Sequence, residues 1–171
     1  MATPSLPSQV DEPTEAGRAL NALRRFVRAL RSASRDTERR HAVTAAQLYV
    51  LRELGTSPGL SLGELARRTH TTQSTVSEVV ARLVDTGMVR RRTPAEDGRK
   101  RELSLTARGR ALADKSPRSM SEHLLGTFDT LPSGQRAALI AGLEAWLDAA
   151  GLAEAPAPMF FERSGMRPRR A

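Results

Sequence analysis

Gln73-Ser74-Thr75-Val76-Ser77-Glu78 places small hydroxyls, one carboxamide and one carboxylate at the head of an apolar-periodic run. Gln can pair bidentately with adenine, Ser and Thr hydroxyls are tolerant partners, and a carboxylate can accept from cytosine N4. The run behind them, Val76, Val79, Val80, Leu83 and Val84, follows helical spacing and predicts a helix from about Gln73 to Thr86. With the valines inward, Ser74, Glu78, Ala81 and Asp85 point outward, and Thr75, Ser77 and Arg82 lie on the flanks. Gln73, Ser74, Thr75, Ser77 and Glu78 are therefore candidate readers of base edges in a groove. Glu78 stands four residues before Arg82, the favourable order for a helical ion pair. It either holds Arg82 towards a phosphate or accepts from a base, and both roles stay open.

This helix has little attraction of its own for a polyanion, since it carries one Arg against Glu78 and Asp85. The charge lies just beyond it. From Arg90 to Arg110 eight cations (Arg90, Arg91, Arg92, Arg99, Lys100, Arg101, Arg108, Arg110) face three anions (Glu96, Asp97, Glu102), a net of +5 within a chain of net +8. Met88–Thr93 and Arg101–Leu105 read as two short strands around the turn cluster Pro94–Gly98. A basic ribbon beside a helix-turn-helix can reach the neighbouring DNA backbone, and Arg82, Arg91, Arg99, Lys100 and Arg101 are the candidate contacts. Such a ribbon can also carry charge simply to blunt its edges.

Other chemistries find no support. His41, His70 and His123 show no i,i+4 pairing with His or Cys, so no metal site is expected, although His41 could line a small-molecule pocket near the junction of the first two helices. Nucleophile-elbow, phosphate-loop and zinc-protease motifs are missing, which argues against an enzyme and against a cofactor. With no cysteine there is no disulfide, thiol sensor or Cys-ligated zinc. The N-terminus lacks the pattern of a secretory signal and no apolar run is long enough to span a bilayer, so a soluble cytoplasmic protein with no membrane partner is expected.

The elements that must position these residues follow from the same rules. Residues 1–14, with three prolines among serines and acids, read as a disordered leader. Leu20, Leu23, Phe26, Val27 and Leu30 stripe a long helix over about 15–38, with Arg24, Arg25, Arg28 and Arg31 on its other faces. So narrow a stripe needs a partner from this chain or another copy. Thr44-x-x-Gln47 and Ser61-x-x-Glu64 match capping boxes that open the next two helices, and Thr69–Thr72 form a turn. Gly87 is placed as a left-handed helix terminator. Thr106 caps a further helix that Pro117 should kink or break, and Leu139, Ile140, Leu143, Trp146 and Leu147 stripe a last helix to about Ala150. Core packing is the expectation for Phe26, Phe128 and Trp146. The Pro/Arg-rich tail 151–171, with its cluster Met159-Phe160-Phe161, reads as poorly ordered.

Together, Leu62-Gly-Glu-Leu-Ala66, Ser74-Thr-Val-Ser77, Arg82-Leu83 with Gly87-Met-Val89, and Asp97-Gly-Arg99 leading to Leu105-Thr106 and Gly109-Arg110 resemble the MarR family of winged helix-turn-helix regulators. The resemblance implies a mainly α fold with a small β-wing: a winged helix-turn-helix at about 44–106, with dimerisation helices at about 15–38 and 107–150 in one domain, 15–150. It implies a homodimer interleaved through Leu20, Leu23, Phe26, Val27, Leu139, Leu143, Trp146 and Leu147. It further implies binding to a pseudo-palindromic double-stranded operator, a wing tip braced by Asp97, and Arg99 in the minor groove. Many members are repressors released by a small aromatic or phenolic ligand, whose pocket here is unknown. A weakly specific architectural DNA-binding protein is the alternative that the basic ribbon alone would support.

Overall fold

The computed structural model describes residues 14–92, 102–155 and 157–160. Chain order is α1 (Glu15–His41), α2 (Ala45–Thr56), α3 (Leu62–Arg68), α4 (Gln73–Asp85), β1 (Val89–Arg92), β2 (Glu102–Leu105), α5 (Ala107–Lys115), α6 (Met120–Asp129) and α7 (Ser133–Ala149). This is the mainly α architecture with a small two-stranded wing that the sequence predicts.

α2 is the hub. Thr44 and Gln47 form the reciprocal capping box (Gln47 N to Thr44 Oγ1, 3.2 Å; Thr44 N to Gln47 Oε1, 2.9 Å), and seven residues of the helix are buried. It packs on α1, α3, α4, α5 and β2. Leu48, Leu51 and Leu54 meet Leu65 of α3, Val76, Val79, Val80 and Leu83 of α4, and Val89, Leu103 and Leu105 of the wing in one aliphatic core. Ala113 of α5 joins the same core, so the core does not stop at residue 106.

α1 runs three residues past the expected end. Arg39, Arg40 and His41 favour the negative helix terminus, and Ala42, left-handed at φ 56°, closes it with a hydrogen bond to Glu38 O. Pro117 breaks the chain cleanly: α5 ends at Lys115, and Ser119 and Glu122 form a new capping box for α6. Arg52 of α2 fastens the break, its Nε 2.8 Å from Glu122 Oε1 and its Nη1 donating to Ser116 O at 2.7 Å.

Two expectations need correction. Phe26 (52 % exposed) and Trp146 (43 %) do not pack into this chain's core, and Phe128 is only partly buried. The reason is geometric: α2 and α4 fill the core with aliphatics, and α7 buries none of its residues within the chain. In the tail, Met159 is not loose. It is 9 % exposed and belongs to the core cluster, which its Pro/Arg-rich surroundings did not suggest. The expectations for residues 1–13, the wing tip 93–101 and residues 161–171 fall outside the described residues.

Candidate nucleic-acid interface

The candidate readers sit where two caps and one turn put them. Ser61 and Glu64 cap α3 reciprocally (Ser61 N to Glu64 Oε2, 2.8 Å; Glu64 N to Ser61 Oγ, 3.3 Å). The chain then turns through Thr69, whose hydroxyl donates to Leu65 O at 2.9 Å, and His70, left-handed at φ 52°. Thr72 caps α4. Its Oγ1 accepts from Thr75 N at 3.3 Å and lies 2.9 Å from both Ser74 Oγ and Thr75 Oγ1. Two of the candidate reading hydroxyls are thus held in place by the cap.

Val76, Val79, Val80 and Leu83 are fully buried, which fixes the rotation of α4. Gln73, Ser74 and Glu78 are exposed, while Thr75, Ser77 and Arg82 are half-buried on the flanks. The first turn therefore offers amide, hydroxyl and carboxylate groups, together with the positive end of a 13-residue helix dipole.

The wing grows from the other end of α4. Gly87 (φ 68°) terminates the helix in a Schellman arrangement, with Met88 N on Leu83 O (2.8 Å) and Gly87 N on Val84 O (2.9 Å). β1 and β2 pair antiparallel, Val89 opposite Leu105 and Arg91 opposite Leu103. Val89, Leu103 and Leu105 are buried, whereas Arg90, Arg91 and Arg92 project into solvent, Arg90 Nε donating to Ser104 Oγ at 3.1 Å. On its other edge β2 is bridged by Leu60, with Leu103 N to Leu60 O at 2.9 Å and Gly59 N to Leu103 O at 3.1 Å. Asp97, Arg99, Lys100 and Arg101 fall outside the described residues.

Thr106 caps α5 as the sequence predicts, its hydroxyl accepting from Gly109 N at 3.2 Å. Sequence reasoning missed the wing's root, where the same hydroxyl donates to Gly87 O at 2.8 Å, with Met88 O at 3.2 Å. Arg108, counted among the wing cations, donates to Thr86 O at 3.2 Å. These contacts bind the end of α4, the start of the wing and the start of α5 into one joint. The cap at Thr72 was equally hard to see, because Thr75 rather than Glu or Gln stands at its third position. A lone Leu60 gives no strand signal at all.

Beside the turn that leads into α4 lies a cleft of about 610 Å³ between Tyr49, the His70–Thr71 turn, Leu124 and Leu125 of α6, and Pro158–Phe160. The Tyr49 hydroxyl donates to Arg68 O at 3.3 Å. Burial, and then the negative charges of Glu53 and Glu122, push its pKa up to about 12, with Arg68 opposing them. His41 lines a separate hollow of about 190 Å³ with Asp36, Arg40 and Met120. Among the described residues no group of three or more His, Cys, Asp or Glu could hold a metal ion, and no helix is long and apolar enough to cross a membrane.

A family model described as the MarR family matches residues 42–100. The HTH-type transcriptional repressor Rv2887 of Mycobacterium tuberculosis is 42 % identical over 74 residues, covering 43 % of this chain and 53 % of the relative. The homoprotocatechuate degradative operon repressor of Escherichia coli is 31 % identical over 88 residues, 52 % of this chain and 60 % of that protein. The chain thus spans little more than half the length of these curated relatives. A solved structure of Bordetella bronchiseptica BpsR, whose DNA binding is regulated by 6-hydroxynicotinic acid, superposes with a TM-score of 0.52 at 26 % identity, over 85 % of this chain and 99 % of that one.

Proposed function

We propose that this chain, a MarR-family member by its central module, is a homodimeric transcriptional regulator that represses from a pseudo-palindromic operator and is released by a small aromatic ligand. One observation carries the reading: the exposed polar first turn of α4 and the arginines of β1 are joined rigidly through Thr106 and Arg108. A reader and an anchor in fixed relation are what groove recognition requires. In this reading Gln73, Ser74, Thr75, Ser77 and Glu78 specify bases, while Arg82, Arg91, Arg99, Lys100 and Arg101 hold the backbone or minor groove and Asp97 braces the tip.

Dimerisation is supported by the apolar side chains left uncovered on α1 and α7: Leu20, Leu23, Phe26, Leu139, Leu143, Trp146 and Leu147 are each at least 40 % exposed, and Val27 is half-buried among them. Repression is supported by the names of the relatives. The cleft beside Tyr49 and His70 is our candidate effector site, because it opens on the turn that leads into α4 and because BpsR responds to a small aromatic acid.

Footprinting on DNA flanking the protein's own gene, with and without aromatic acids, tests this. Two protected half-sites should be centred about 10 bp apart, and the site should be preferred over random duplex by roughly 10³-fold or more. A ratio near one would instead indicate the architectural DNA-binding protein, and tight operator binding by a monomer would remove the dimer.

A further inference from the structure

The arginines of α1 are not used by the reading above. From Ala16 to Arg35 the helix carries six arginines (Arg18, Arg24, Arg25, Arg28, Arg31, Arg35) and no carboxylate, and all six are exposed. Arg24, Arg28, Arg31 and Arg35 fall at steps of four, three and four, so they form one file along a single face. The file runs along the rim of the apolar stripe of Leu20, Leu23, Phe26, Val27 and Leu30, and shares a surface hollow with Leu23 and Val27, so a partner covering the stripe leaves the outward guanidinium groups at its edge.

Like charges three and four apart repel and destabilise a helix. A face kept for solubility or helix stability would interleave Glu with Arg. Here the repulsion is concentrated, and an external polyanion is what would relieve it. The file is about 16 Å long at 1.5 Å per residue. Along that length one strand of a duplex presents about five phosphates, and guanidinium groups suit phosphate oxygens. A lipid surface suits the helix less well. In the dimer proposed above the partner copy covers the stripe of Leu20, Leu23 and Phe26, which are exposed in the single chain, so that stripe is not free to lie along a bilayer.

We propose that the arginine file Arg24–Arg28–Arg31–Arg35 is a second DNA-binding surface that holds the phosphate backbone of another duplex while α4 and the wing hold the first. The inference rests on the reading of α4 and the wing as the first contact.

In the test, the full chain is anchored by a C-terminal tag and saturated with a duplex from DNA flanking its own gene. A fluorescent short duplex of unrelated sequence is then added. The wild-type protein takes up the second duplex, and with four phosphate contacts uptake falls about a hundredfold for a fourfold rise in salt. The variant Arg24→Gln/Arg28→Gln/Arg31→Gln/Arg35→Gln loads the first duplex equally but takes up at least about tenfold less of the second. The corresponding Lys variant, which keeps the charge, recovers most of the uptake.

Equal uptake by the Gln variant would assign capture to the wings and overturn the proposal, as would a wild-type protein that takes up none. Displacement of the second duplex by phosphatidylglycerol vesicles would assign the surface to lipid instead. Failure of the first duplex to load would count against the reading of α4. The difference between wild type and the Gln variant would still report on α1.

Discussion

Gly109 lies in the first turn of α5, where helix propensity and packing predict opposite signs for the substitution Gly109→Ala. By propensity alone, Ala in a helix is favoured over Gly by about 1 kcal/mol. The structure leaves no room for it. A Cβ at Gly109 would run into the Met88 carbonyl oxygen, which also accepts from Thr106 N at 3.0 Å. The three atoms it would meet are all Met88 backbone, so the clash is relieved only if α5 backs away from the root of the wing. That movement strains the Thr106 N to Met88 O bond and the Thr106 hydroxyl bond to Gly87 O. Overpacking of this kind costs about 1–3 kcal/mol, and each hydrogen bond lost about 1 kcal/mol more. Less the propensity gain, the net loss is about 2–4 kcal/mol, or a fall in Tm of roughly 5–15 °C for a chain of this size. Gly126→Ala is the control. Gly126 is also helical, but nothing lies within 4 Å of its Cβ position. That variant should gain about 1 kcal/mol and melt a few degrees higher. Calorimetric melting of the pair decides the matter: a Gly109→Ala protein that melts at or above the wild-type temperature would refute the description of the wing's root.

Three further outcomes are expected. Tyr49 is the one tyrosine of the chain, so tyrosinate absorbance reads it alone; its folded pKa of about 12 lies above the ordinary 10. Raised in the folded state, it contributes stability that is complete below pH 10 and lost as pH climbs to about 12, some 2–3 kcal/mol in all. A Tyr49→Phe protein should show a flatter alkaline melting profile. Thr72→Ala should cost about 1 kcal/mol by removing the cap of α4. It should also free the Ser74 and Thr75 hydroxyls, so that gel-shift affinity falls by more than stability does; unchanged affinity would show that the cap does not position the readers. Leu143→Asp should leave a monomer in sedimentation with helical content largely kept, and a variant that sediments like the wild type would place the subunit contact elsewhere.

The module was legible where local rules decide. Both capping boxes, the left-handed Gly87, the break at Pro117 and the buried face of α4 all follow from spacings within one or two helical turns. What escaped depends on residues brought together from afar. Thr106 reaches back to Gly87, Arg108 to Thr86 and Arg52 forward to Ser116, and no periodicity encodes such partners. Phe26 and Trp146 misled because size suggests core, but whether a stripe finds cover in its own chain is a question of topology. Met159 misled in the other direction. Prolines and arginines around it read as disorder, but one thioether suits an irregular gap left between α2, α6 and the turn before α4.

That last contact has a consequence in time. Tyr49, His70 and Thr71 emerge from the ribosome well before Met159, and domains generally fold from the N-terminus during synthesis. Met159, which closes the cleft over them, is added only after α7 has been made. A nascent chain can therefore complete α2, α3, α4 and the wing while the wall beside the turn before α4 is still open. During that interval Tyr49, Leu124 and Leu125 are exposed to chaperones and small molecules alike, and the wall closes only once Met159 has emerged.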